Sequence, residues 1–123
     1  MNKRTILLVE AEATSIVIQR NLLESCGYSV VVAESGEQAI EITNVLNKID
    51  LILMDIFLPG IGGIEAAKKI LQKKKIPLVF LSFHPQSLMI ERLECLSYQG
   101  YIEKPLCRNS ICACIERILN RPH

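Results

Sequence analysis

Four short apolar runs constrain this chain more than any other feature: Ile6-Leu7-Leu8-Val9, Val30-Val31-Val32, Leu51-Ile52-Leu53-Met54 and Leu78-Val79-Phe80-Leu81. They are continuous rather than alternating, the pattern of strands covered on both faces, as in a parallel sheet. A weaker fifth run is Gly100-Tyr101-Ile102. Helix-period segments separate and follow them. Ile18, Leu22, Leu23 and Cys26 make the first stripe, stopped by Gly27. Ala39, Ile42, Thr43 and Leu46 make the second, with Ser35 as its N-cap. Ile64, Ala67 and Leu71 make the third. Met89, Leu93 and Leu96, opened by Pro85, make the fourth. Ile111, Ile115, Ile118 and Leu119, closed near Pro122, make the fifth. A strand-helix order repeated in this way, with right-handed crossovers, predicts an α/β fold of three layers: a parallel sheet with helices on both faces.

The chain of 123 residues is read as one domain, 1–123, large enough to bury a core. Its net charge of +1 argues against direct nucleic-acid binding. The local cluster Lys68, Lys69, Lys73, Lys74 and Lys75 reads as a solvated helix end. Five cysteines, Cys26, Cys95, Cys107, Cys112 and Cys114, fit no zinc spacing and are expected to be free thiols in a reducing, cytoplasmic setting. The apolar run near the N-terminus is too short for a signal peptide. No apolar stretch approaches the ~20 residues that span a membrane.

In such a sheet, ligands bind outside the carboxyl ends of the strands. The first strand runs into Glu10-Ala11-Glu12, the third into Asp55, the fourth into Ser82 and the fifth into Glu103-Lys104-Pro105. Carboxylates, a hydroxyl and an ammonium therefore converge on one edge. Acidic oxygens suit a hard divalent cation. An aspartate there can attack a phosphoryl group, whose oxygens a cation, an ammonium and a hydroxyl can share. Taken singly, each residue has a plainer reading as a loop residue, a backbone-bonded serine or a solvated lysine; it is the combination that carries weight.

The stretches LLVEAE, DLILMDIFLPGIGG, IPLVFLS and GYIEKP resemble the receiver domains of two-component response regulators, over essentially the whole chain. The resemblance implies the flavodoxin-like (CheY-like) (βα)5 fold, with five parallel strands in the order 2-1-3-4-5. It implies Asp55 as phosphoacceptor and Glu10, Asp55 and the backbone carbonyl of Phe57 as ligands of Mg2+. Ser82 and Lys104 would bind the phosphoryl group, and Tyr101 would be the aromatic that rotates with the switch. Phe57 and His84 would tune turnover, and the bond to Pro105 would be cis. The implied partners are a histidine kinase or phosphotransfer protein and an output domain or protein, reached through the face of the fourth helix, fifth strand and fifth helix; a homodimer through that face is also open. The domain would be a phosphoacceptor rather than a conventional enzyme, though able to catalyse its own phosphorylation and dephosphorylation.

Ala11 departs from the pattern. It stands where the family carries its second acid, so Mg2+ binding is expected to be weakened. Glu12 is one residue late, and successive side chains leave a strand in opposite directions. Gly62 replaces a polar residue before Gly63, and Phe83 replaces a small residue after Ser82. The alternative reading is a degenerate receiver that binds partners without phosphorylation. An aspartate-nucleophile phosphatase fits less well, because Phe57 stands where a second, proton-moving Asp would be needed. No G-x-G-x-x-G follows the first strand, which disfavours a dinucleotide site.

Overall fold

The computed structural model describes residues 3–120. Strands β1 (Thr5–Val9), β2 (Ser29–Ala33), β3 (Leu51–Asp55), β4 (Leu78–Ser82) and β5 (Gly100–Glu103) alternate with helices α1 (Ala13–Ser25), α2 (Gly36–Val45), α3 (Gly62–Lys73), α4 (Gln86–Leu93) and α5 (Arg108–Leu119). The strands form one parallel sheet in the order β2-β1-β3-β4-β5.

Each central strand sends alternate side chains to opposite faces, as its period of two requires. Leu7, Val9, Ile52, Met54, Leu78 and Phe80 pack against Ala39 of α2, Ile64, Ala67 and Ile70 of α3, and Met89 and Leu93 of α4. Ile6, Leu8, Leu51, Leu53, Val79 and Leu81 pack against Leu23 of α1 and Ile111 and Ile115 of α5. Because both faces are covered, β1, β3 and β4 need no polar alternation, which is why their sequences run apolar. Truncating a fully buried side chain such as Leu53 to alanine would cost about 2–5 kcal/mol.

Register places the strand ends. Val9 lies opposite Met54, so the next residues, Glu10 and Asp55, come level. Asp55 lies opposite Leu81, and Ser82 lies opposite Glu103. Ser82 therefore stands one step beyond Asp55, and Lys104 two steps beyond it, within reach of a long side chain folding back. Gly63 fixes the approach of α3: a Cβ there would overlap the Asp55 carbonyl, and its N–H donates to the Ile56 carbonyl at 2.9 Å.

Ser35 caps α2 by accepting from the Gln38 N–H. Pro85 opens α4, whose helix stops at Leu93, before Leu96. Pro122 lies outside the described residues. Two expectations are corrected. In α1, Ile18 is 58% exposed, and it is Gln19, 5% exposed, that faces inward. Leu23 anchors that helix to the sheet, and the residue one turn before it on the same face is Gln19. The second correction concerns the cysteines. Cys26 and Cys112 are joined in a disulfide across 86 residues of sequence, with Cα atoms 6.0 Å apart. Helices α1 and α5 share one face of the sheet, and this proximity is invisible in linear spacing. Cys95, Cys107 and Cys114 are free. Among the described residues, no helix is long and apolar enough to cross a membrane.

Candidate functional site

An open cleft of about 380 Å³ lies at the carboxyl edge of the sheet, lined by Glu10, Ala11, Asp55, Phe57, Phe83 and Lys104 among others. Its floor is charged and buried. Lys104 Nζ donates to Glu10 Oε1 and to Asp55 Oδ2, each at 2.7 Å. The Lys104–Pro105 peptide is cis, and the Lys104 N–H donates to the Ser82 carbonyl at 2.7 Å.

The two carboxylates are held differently. A carboxylate offers roughly four acceptor positions. Glu10 fills all of them. Its Oε1 accepts from Lys104 Nζ and from Gln19 Nε2 at 3.1 Å, and its Oε2 accepts from the backbone N–H groups of Ala11 at 3.1 Å and Glu12 at 3.3 Å. Asp55 fills half of them: Oδ1 accepts from the Phe57 N–H at 3.1 Å and Oδ2 accepts from Lys104. Its remaining acceptor positions have no partner among the described residues, and Asp55 lines the cleft.

Electrostatics follow the same division. Burial pushes the Glu10 carboxyl up, but the hydrogen bond and charge of Lys104, with backbone help from Glu12, outweigh it and hold it below its ordinary value. Burial also pushes Asp55 up; there the charge of Glu10 adds to burial, Lys104 does not compensate, and the carboxyl sits above its ordinary value. Burial pulls the Lys104 ammonium down, but its two carboxylate partners more than restore it. Of the two acids, Asp55 is the one whose neutral form the site favours.

The other candidates sit around this floor. Ser82 is buried, and its Oγ accepts from the His84 N–H at 3.0 Å rather than lining the cleft. Tyr101 lies outside the cleft, and its hydroxyl donates to the His84 carbonyl at 2.6 Å. His84 is thus gripped through its backbone from both sides. Its ring stacks at a tilt on Phe57, centroids 4.9 Å apart, and the Arg92 guanidinium lies 5.8 Å from the Phe57 centroid. The Phe83 ring lies 5.2 Å from Lys104 Nζ, at the entrance. Tyr98 packs edge-on against Phe80, and its hydroxyl accepts from Gln86 Nε2 at 2.8 Å. Glu12 lines the cleft but serves as the N-cap of α1, accepting from the Thr14 and Ser15 N–H groups and the Ser15 hydroxyl.

The donor set present does not fit a resident Mg2+. Glu10 has no free acceptor position, Ala11 offers only a methyl group, and the helix cap takes three of the roughly four acceptor positions of Glu12, which leaves Asp55 as the one carboxylate of the floor with free positions. Among the described residues, no cluster of three His, Cys, Asp or Glu side chains could hold a metal ion. Gln19 is the residue that sequence reading missed. Its amide orientation is fixed, because Glu10 can only accept and so must face Nε2. That leaves Gln19 Oε1 buried without a partner among the described residues. Such an orphan costs roughly 1–3 kcal/mol. The available signal was the turn of spacing between Gln19 and Leu23, but helix patterning disfavours a polar residue there.

Comparison with known proteins accords with this architecture. The chain is 35% identical to the transcriptional regulatory protein CpxR of Escherichia coli K12, over 100% of this chain and 51% of that protein. It is 32% identical to the transcriptional regulatory protein PdtaR of Mycobacterium tuberculosis H37Rv, over 96% of this chain and 58% of that protein. It thus spans about half the length of the curated relatives it matches. The receiver domain of a Pseudomonas aeruginosa sensor histidine kinase, solved with a magnesium ion coordinated in its active site cleft, superposes with a TM-score of 0.88 at 25% identity, covering 97% of this chain and 99% of that one. The profile of the response regulator receiver domain matches residues 6–116, and the chain belongs to that family.

Proposed function

We propose that this domain is a phosphorylation-controlled signalling receiver, with Asp55 as its phosphoacceptor. The observation that carries the reading is the contrast on the cleft floor: Asp55 keeps free lone pairs beside the Lys104 ammonium, whereas Glu10 is fully engaged. A carboxylate oxygen of Asp55 forms the new O–P bond. The N–P bond of the donor phosphohistidine breaks, and its electron pair returns to the imidazole, which takes up a proton. Lys104 stands ready to neutralise one phosphoryl oxygen. Ser82 would donate its hydroxyl proton to another by turning toward the cleft, and that turn disturbs the bond it accepts from the His84 N–H, on the backbone that Tyr101 also grips. That coupling would bias the α4-β5-α5 face between two states.

The donor is a histidine kinase or phosphotransfer protein. The reader of the switched face is an output domain or separate protein, in keeping with the transcriptional roles named for CpxR and PdtaR. In this reading residues 1–123 act as one domain that makes no direct contact with nucleic acid. A second reading, a degenerate receiver that binds partners without phosphorylation, is favoured by one specific observation, the engaged Glu10 beside Ala11. Intact mass after incubation with acetyl phosphate separates them. The expected result is a single phosphoryl adduct, absent from Asp55→Asn; an unmodified parent would mean the degenerate reading is right.

A further inference from the structure

We infer that Lys104 is the resident cation of this site and that Gln19, by closing the last acceptor position of Glu10, keeps divalent metal out, so that Asp55 loads without Mg2+. This deepens the phosphoacceptor reading and rests on it for the loading step only. Three observations converge. Lys104 Nζ sits 2.7 Å from an oxygen of each carboxylate, the position a bridging cation would take. Glu10 accepts four hydrogen bonds and has none left for a metal. Gln19 is buried as a polar residue at a helix position facing the core, with its amide oxygen unpartnered. Among the described residues, the side-chain hydrogen bond of Gln19 is to Glu10. Each carboxylate oxygen has about two acceptor positions, so a donor that takes the last of them competes with an ion for the same lone pair. Gln19 is thus a positioning residue that acts through Glu10.

The test is Mn2+ binding, read by the loss of the free-ion electron paramagnetic resonance signal, on four proteins: parent, Ala11→Asp, Gln19→Leu and the double variant. The parent is expected to bind no Mn2+ at millimolar concentration. The double variant is expected to bind ~10-fold more tightly than Ala11→Asp alone, the worth of the one hydrogen bond to a charged group that Gln19 no longer holds against the ion. Leu is one bond shorter than Gln and removes both the donor to Glu10 and the orphan oxygen, and the parent titration needs no variant at all. In parallel, adduct formation from acetyl phosphate is timed on the parent with Mg2+ and with EDTA, and equal rates are expected. Millimolar Mn2+ binding by the parent, an adduct that needs Mg2+, or an Ala11→Asp affinity unmoved by Gln19→Leu would overturn the inference. No adduct under either condition, with no Mn2+ bound, would sustain the metal-free site and overturn the phosphoacceptor reading instead.

Discussion

The floor of the cleft and its rim differ in almost every physical respect. The side chains of Glu10, Asp55 and Lys104 are at most 9% exposed and are set by strand register. Phe57 and Phe83 on the rim are 50% and 70% exposed and are set by loops. On the floor, each charge has left water and depends on its partners, so removing one exposes the others to the full cost of desolvation. On the rim, the aromatic rings bury little area and carry little of the stability. What this teaches is where to look for each kind of effect: stability and proton affinity on the floor, access to Asp55 on the rim.

The largest effect should come from Lys104→Met. With the ammonium gone, two carboxylates face one another in a buried site, and denaturant unfolding at pH 7 should show a loss of about 3 kcal/mol. The pH dependence has a definite sign. The folded value of Lys104 is raised above 10.5, so its contribution is whole below that pH and fades as pH rises through the folded value. Glu10 is held below 4.5, so its contribution is present above that value and is lost as acid protonates it. The variant should therefore approach the parent's stability at both extremes. Equal stability at pH 7 would break the contrast, because the floor would then behave like the rim.

Asp55→Asn should act in the opposite direction. The folded carboxyl is raised above 3.8, so its ionised form destabilises the fold increasingly as pH climbs past that value. The amide should gain about 1 kcal/mol at pH 7. At about pH 3 the gain should vanish, since the carboxyl is then neutral in both states. A gain that persisted in acid would point to packing rather than charge.

Smaller still is the rim. Phe57→Ala and Phe83→Ala should each change stability by under about 0.5 kcal/mol. They should nonetheless shorten the lifetime of an Asp55 adduct, because the rings cover the path of water; a pulse-chase of the intact mass reads this directly. An unchanged lifetime in both variants would mean that the rim does not gate water. Last comes a count with no energetic scale. The helix that delivers Gln19 to the floor is tied to α5 by Cys26 and Cys112. Alkylation of the denatured, unreduced protein should add to three thiols, and to all five after reduction. Five thiols without reduction would remove the tether.

Much of this was legible in one dimension. Continuous runs such as Leu51-Ile52-Leu53-Met54 announce strands covered on both faces, because only a sheet with helices on both sides can bury every residue of a strand. Ser35 and Gly27 mark helix ends through local backbone chemistry that needs no tertiary context. The convergence of Glu10, Asp55 and Lys104 was legible too, since parallel strands put their carboxyl ends on one edge.

Residues whose role depends on a neighbour far along the chain were not legible. Ile18 reads as core and Gln19 as surface, yet the rotation of α1 about its Leu23 anchor exchanges them, because Glu10 supplies an acceptor that makes a buried amide tolerable. Cys26 and Cys112 read as unrelated thiols until α1 and α5 come to lie on one face. Ser82 reads as a ligand of the cleft, whereas the fold turns its hydroxyl to the backbone of His84. Sequence alone determined the layers, the strand ends and the chemistry gathered there, since those follow from periodicity and local propensity. Only the tertiary structure decided which lone pairs were left free, because hydrogen-bond partners at that edge are drawn from residues up to 94 positions apart.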